Sequence, residues 1–153
     1  MQIRNSANIG NSSLLGDNPI TIKADRLIMD NQVLIESSTI LGEGGGITFT
    51  GSILEFTNGS TFLSQTFGDG PAGPFRINAA ERVLVADDAS SPFPSGLFTN
   101  SFGGFGLGSQ GHGGAITVTT KILDIRGGAL FPMASPSSTR AAPMIASLPD
   151  ESR

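Results

Sequence analysis

The chain has no cysteine, no tryptophan and no tyrosine, and its one histidine is His112. Without cysteine there is no disulfide framework, no thiolate nucleophile and no cysteine-based zinc site. One histidine cannot build a multi-histidine metal centre. Charge is also scarce: 14% of residues are Asp, Glu, Lys or Arg, against about a quarter in an ordinary soluble chain. The net charge of −4 argues against nucleic acid as a partner, because phosphate binding needs a basic surface. No apolar run approaches the ~18–20 residues of a membrane-spanning helix, so no membrane insertion is expected. The segment from Met1 to Asp17 has Arg4 as its only basic residue and no apolar stretch, so it does not read as a signal peptide.

What the chain does have is glycine (21 of 153 residues), with 18 Ser, 12 Thr and 8 Asn. Its apolar residues recur at a fixed interval. Ile20-Thr21-Ile22, Leu27-Ile28-Met29 and Ile35 to Ile40 are matched 27 residues later by Ile47-Thr48-Phe49, Leu54-Glu55-Phe56 and Phe62 to Phe67. A third block holds Phe75-Arg76-Ile77, Val83-Leu84-Val85 and Leu97 to Phe102; a fourth holds Ile116-Thr117-Val118, Leu123-Asp124-Ile125 and Ala129-Leu130-Phe131. Ile9 to Leu14 matches Ile35 to Ile40, so the chain starts within a block.

Within each block the period is two, which reads as strands with one face buried. Gly42 to Gly46, Asn58-Gly59 and Gly68 to Gly73 separate the strands. Three short strands per block, repeated in register, describe an all-β parallel solenoid of about four coils of roughly 27 residues, with loop insertions. Aligned positions then form interior ladders: Ile22-Phe49-Ile77-Val118, Met29-Phe56-Val85-Ile125 and Ile35-Phe62-Leu97-Phe131. Asn31, Asn58, Asp87 and Gly127 align at a corner, and are residue types that tolerate a left-handed backbone.

The solenoid segment is expected over residues 1–131, with loops at 90–96 and 103–114. Residues 132–153, rich in Pro, Ser and Ala, show no strand alternation and are expected to be a disordered tail. With no capping helix, the coil ends present unpaired strand edges, and self-association through them is expected. The chain reads as a piece of something longer.

Gly-Gly-Ile-Thr-Phe at 45–49, Leu-Glu-Phe-Thr-Asn-Gly-Ser at 54–60, Ser-Gln-Thr-Phe-Gly-Asp-Gly-Pro-Ala-Gly at 64–73 and Phe-Arg-Ile-Asn-Ala-Ala at 75–80 resemble the repeats of filamentous-haemagglutinin-like exoproteins. They are most similar to the large cyanobacterial repeat exoproteins secreted by the two-partner route. The resemblance covers residues 7–131. It implies a right-handed single-stranded parallel β-helix, passage through an outer-membrane partner pore, an extracellular or cell-surface location, and adhesion to a glycan or protein receptor. The chain departs from the family in lacking its amino-terminal secretion domain, in having few coils and in ending on a Pro-rich stretch.

Glu55 and Asp124 are the sharpest catalytic candidates. They share an outward strand position two coils apart, with Leu84 between. That spacing, roughly 9.5 Å, falls at the edge of the range for an inverting glycosidase pair. Ordinary solvated surface charge is the simpler account, since no aromatic sugar platform of Trp or Tyr exists. His112 sits in a Gly-rich loop with no partner nucleophile or acid nearby. Gly42-Glu43-Gly44-Gly45-Gly46 lacks the Lys and Ser/Thr of a phosphate loop, and Asp87-Asp88 does not recur at the nine-residue period of calcium repeats. Thr21, Thr48 and Thr117 form a threonine file of the kind that binds ice, but Arg76 interrupts it.

No catalytic, cofactor-binding or metal-binding residue is therefore expected. The expected contact surface is Phe93, Phe98, Phe105 and Leu107, in or beside the inserted loops. The function read from the sequence is a non-enzymatic structural segment of a secreted adhesin-type exoprotein. The alternatives are a carbohydrate-active β-helix enzyme and a truncated product without independent function.

Overall fold

A computed structural model describes residues 1–16, 18–88, 91–102, 112–127 and, by backbone alone, 144–147. Among these residues the protein is all-β and contains no helix. The strands are β1 (Gln2–Arg4), β2 (Asn8–Ser13), β3 (Ile20–Lys23), β4 (Arg26–Asp30), β5 (Leu34–Thr39), β6 (Ile47–Thr57), β7 (Thr61–Thr66), β8 (Phe75–Ala86), β9 (Gly96–Ser101), β10 (Ile116–Arg126) and β11 (Met144–Ser147). The larger sheet runs β1-β4-β6-β8-β10-β11, with β3 also beside β6; the smaller runs β2-β5-β7-β9. Every pairing between these strands is parallel. The chain alternates between the two sheets and returns to each in register, a solenoid-like arrangement.

The first two strands of each block are more continuous than the alternation suggests. In β6, β8 and β10 they form single strands, interrupted only by register shifts between Gly51 and Ile53 and between Thr120 and Ile122. A bulge bends a strand without ending it. Gly51 is required there: a Cβ on it would lie 1.9 Å from the carbonyl oxygen of Ala24.

The interior lies between the inner faces of the two sheets. Ile22 pairs with Phe49, Phe49 with Ile77 and Ile77 with Val118. Met29, Phe56 and Val85 form a second buried ladder, and Ile35, Phe62 and Leu97 a third. Phe62, from the smaller sheet, meets Phe56 edge-on at 4.8 Å and Phe75 at 6.4 Å, both from the larger sheet. Ile125 departs from expectation. It aligns with Val85 but is 43% exposed, because β11 covers only Ile116 to Thr119 of β10. Phe131 lies outside the described residues.

The interior of the smaller sheet changes character along its strands. Ile35, Phe62 and Leu97 are followed on the same inner face by Ser37, Ser64 and Thr99, then by Thr39, Thr66 and Ser101, all buried. Several of these hydroxyls serve the glycine-rich corner that leads back to the larger sheet, whereas that of Ser64 is buried without a hydrogen-bond partner. Thr66 donates to the Gly42 carbonyl at 3.1 Å and Thr99 to that of Gly114 at 3.1 Å. The corner is tightly stacked: a Cβ on Gly73 would fall 2.0 Å from the Gly46 nitrogen. Backbone so crowded leaves only small interior side chains to satisfy its polar groups.

Asn18 organises the lower end of this corner. Its amide donates to the carbonyls of Asn11 (2.6 Å) and Ser38 (2.8 Å), and its side-chain oxygen accepts from Thr39 Oγ1 (3.1 Å) and Gly45 N (3.3 Å).

At the opposite corner Asn31, Asn58 and Gly127 adopt positive φ (63°, 54° and 67°), and so do Gln32 and Gly59. Asp87 does not. Its carboxylate instead accepts hydrogen bonds from Gly59 N (3.1 Å), Ser95 N (2.7 Å) and Ser95 Oγ (2.6 Å). The inserted loop leaves the sheets at this point, and the corner is rebuilt around a side chain.

The sequence suggests no strand after residue 131, yet β11 pairs with β10 from Ile116↔Met144 to Thr119↔Ser147. The segment lies between Pro143 and Pro149, so every residue in it retains the N–H that a ladder needs.

Candidate contact face

The outer face of the smaller sheet carries the features that invite a partner. Period-two alternation turns Leu34, Glu36, Leu63, Gln65, Phe98 and Asn100 outward, opposite the buried Ile35, Phe62 and Leu97. Leu63 pairs with Phe98 and Gln65 with Asn100. Beside them the inserted loop places Phe93 and Pro94. The result is an open groove of about 410 Å³ lined by Gln32, Leu34, Thr61, Leu63, Phe93 and Phe98, among others. Phe93 is 62% exposed at its rim; Phe98 is half-buried in its floor. Two of the four expected contact residues thus lie together. Phe98 does so as a strand residue of β9, and Phe105 and Leu107 lie outside the described residues.

Polar groups bound the groove on one side. Glu36 accepts from Ser38 Oγ at 2.7 Å and Gln65 Nε2 at 2.5 Å. The Ser91 hydroxyl donates to the Phe93 carbonyl at 2.6 Å, which ties the loop tip to itself. Ser95 Oγ accepts from the nitrogens of Gly59 and Ser60, fixing where the loop rejoins the sheet.

Sequence reasoning missed a second outward column on the same sheet. Leu14, Ile40, Phe67 and Phe102 follow the paired residues Ser13, Thr39, Thr66 and Ser101. The hydrogen-bond ladder continues through them: Ile40 N to Ser13 O, Phe67 N to Thr39 O and Phe102 N to Thr66 O. All four are exposed, and the Phe67 and Phe102 rings stack with centroids 5.4 Å apart. The signal was parity: each lies five positions after an inward residue (Ile9, Ile35, Phe62, Leu97), and an odd step on a strand changes face.

Glu55 and Asp124 do flank Leu84 across β6, β8 and β10. Each is held by arginine. Arg26 Nη2 lies 3.2 Å from both Glu55 oxygens. Asp124 accepts from Arg126 Nε (2.7 Å) and Nη2 (2.5 Å) and from Arg82 Nη2 (2.9 Å). The hydrogen bonds from Arg126, followed by its charge and those from Arg82, outweigh partial desolvation and lower the Asp124 pKa below its ordinary 3.8. An acid catalyst needs the opposite shift. Because the folded-state value is depressed, the stabilisation is present above pH ~4 and lost as pH falls through the folded pKa. Asp124→Asn is accordingly expected to lower stability slightly at pH 7 and to leave it unchanged where the carboxyl is protonated, as read by urea titrations at the two pH values. An equal effect at both would show that the ion pairs contribute nothing.

His112 is exposed, and its carbonyl accepts from Ala72 N at 2.9 Å. Thr21, Thr48 and Thr117 align through Arg76, as the spacing requires.

No protein-family model, curated protein or solved structure matches this chain.

Proposed function

We propose that the chain is a segment of the shaft of a filamentous-haemagglutinin-like, two-partner-secretion exoprotein, a non-enzymatic element of an adhesin. In this reading it is a right-handed single-stranded parallel β-helix of about four coils of roughly 27 residues. It acts outside the cell or on its outer surface, after the parent has passed through a partner pore. The observation that carries the reading is that every pairing between the described strands is parallel, with aligned blocks paired throughout apart from one register shift in each of the β6–β8 and β8–β10 pairings. Such pairing makes a stiff support whose loops, not its interior, are free to vary.

The groove beneath Phe93 is the receptor site in this proposal. Its aromatic and leucine side chains supply apolar contact, and the amides of Gln32 and Asn100 lie among them. Apolar contact faces beside a few amides suit a glycan or a protein loop.

The test is binding of the full chain to whole cells and to a panel of immobilised polysaccharides. The double variant Phe93→Ser, Phe98→Ser is expected to weaken binding by about tenfold or more. Unchanged binding would remove the groove from the proposal. Release of reducing ends from a polysaccharide, abolished by Glu55→Gln, would overturn the non-enzymatic reading in favour of a carbohydrate-active enzyme.

A further inference from the structure

The exposed column Leu14–Ile40–Phe67–Phe102 is distinct from the groove. Leu15 and Leu41 extend it by one residue at each of its first two rungs. The six side chains are between 37% and 77% exposed. Together they present on the order of 500 Å² of apolar surface, at the upper end of the largest patch on a typical monomer. A contact that used this strip on both sides would bury about 1,000 Å² before any polar rim is counted, which is where specific interfaces begin.

We propose that this column is a two-fold docking strip for a second copy of the chain, laid side by side and antiparallel. Two observations select that occupant. First, the rungs rise at the strand spacing of ~4.8 Å, because each is anchored to the ladder by a backbone hydrogen bond. Another copy offers knobs with the same repeat. Second, the column is graded, with aliphatic side chains on its first two rungs and aromatic rings on the last two. A two-fold axis across the column sets Leu14 against Phe102 of the second copy and Ile40 against Phe67 of the second copy. Every rung then pairs an aliphatic side chain with a ring, and the contact closes on itself as an isologous dimer. A parallel arrangement would pair each residue with its own kind.

Charge beside the strip adds a signature. Exposed Glu43 and Asp69 follow Leu41 and Phe67 by two residues, and no Lys or Arg lies among the described residues of that corner. The copies therefore repel weakly at the rim, and added salt strengthens their association by screening that repulsion.

The test is sedimentation of the full chain from micromolar to near-millimolar concentration. A monomer–dimer equilibrium that stops at the dimer and tightens with salt is expected. Ile40→Thr with Phe67→Thr, both at exposed positions, should weaken it by about tenfold or more; a far-UV spectrum unchanged from the parent shows that the variant is folded. Phe93→Ser with Phe98→Ser should leave it unaltered. Because the chain has no cysteine, orientation is read directly: Leu14→Cys copies should cross-link to Phe102→Cys copies and not to each other. A monomer at all concentrations, or growth beyond the dimer that ignores the Ile40 and Phe67 changes, overturns the proposal. The second outcome would assign association to the coil ends. Preferential self-linking of Leu14→Cys copies would overturn the antiparallel arrangement.

Discussion

Replacing Phe62 with Ala is expected to lower the unfolding free energy by about 3–5 kcal/mol, the cost of a large cavity in a packed core. Phe62 is fully buried, and it contributes more than area. It is the ring of the smaller sheet that touches Phe56 and Phe75 of the larger one, at 4.8 and 6.4 Å. Such aromatic pairs add about 0.5–1.5 kcal/mol beyond the burial itself. The loss is a large share of the ~5–15 kcal/mol that holds most domains together. The comparison is Leu63→Ala, one residue along and on the outer face, where about 1 kcal/mol or less is expected. Urea titration of both variants checks the pair. Equal losses would mean that Phe62 does not face a common interior.

Asn18→Ala is expected to cost about 3 kcal/mol. Asn18 is only 7% exposed, and its removal leaves the N–H of Gly45 without its acceptor and takes one hydrogen bond each from the carbonyls of Asn11 and Ser38, which also pair in the strand ladder. Each buried group left unpaired costs about 1–3 kcal/mol, partly recovered where water can enter. Asn18→Asp is the sharper experiment. It keeps the acceptor for Thr39 and Gly45 but turns a carboxylate oxygen toward the two carbonyls that the amide served, 2.6 and 2.8 Å away. That carboxyl favours its protonated form, which can donate one of the lost bonds. Its pKa is therefore raised, and the variant is expected to gain stability relative to the parent as pH falls. If Asn18→Asp tracks the parent at every pH in thermal melts, the amide is not the organiser of this corner.

The parts of the molecule visible in the sequence are those written in apolar side chains. Ile22, Phe49, Ile77 and Val118 repeat at nearly constant spacing, so their alignment follows from the pattern. The parts that stayed hidden depend on hydrogen bonding. Asn18 reads as one more turn residue, and only its alignment with Gly45, Gly73 and Gly114 marks it as the odd member of a glycine column. The inward Ser37, Thr39 and Thr66 look like solvent-facing residues by composition. The glycine corner reverses that, since its crowded carbonyls need donors inside. Ile40 and Phe67 look like core residues by composition, and strand parity sends them out. For the contact face, Phe93 and Phe98 were legible as apolar residues at an insertion. Their meeting with Leu34 and Leu63 was not, because it depends on where the loop returns to the sheet.

That return is set by the clasp of Asp87 on Ser95. Both feet of the detour are joined to one carboxylate, while β7 and β9 keep their register beneath it. The length of chain between those feet is thereby uncoupled from the lattice of strands. The corner is a socket, in which a peptide of unrelated size can be spliced after Asp88 and displayed on a rigid stem with neither sheet asked to adjust.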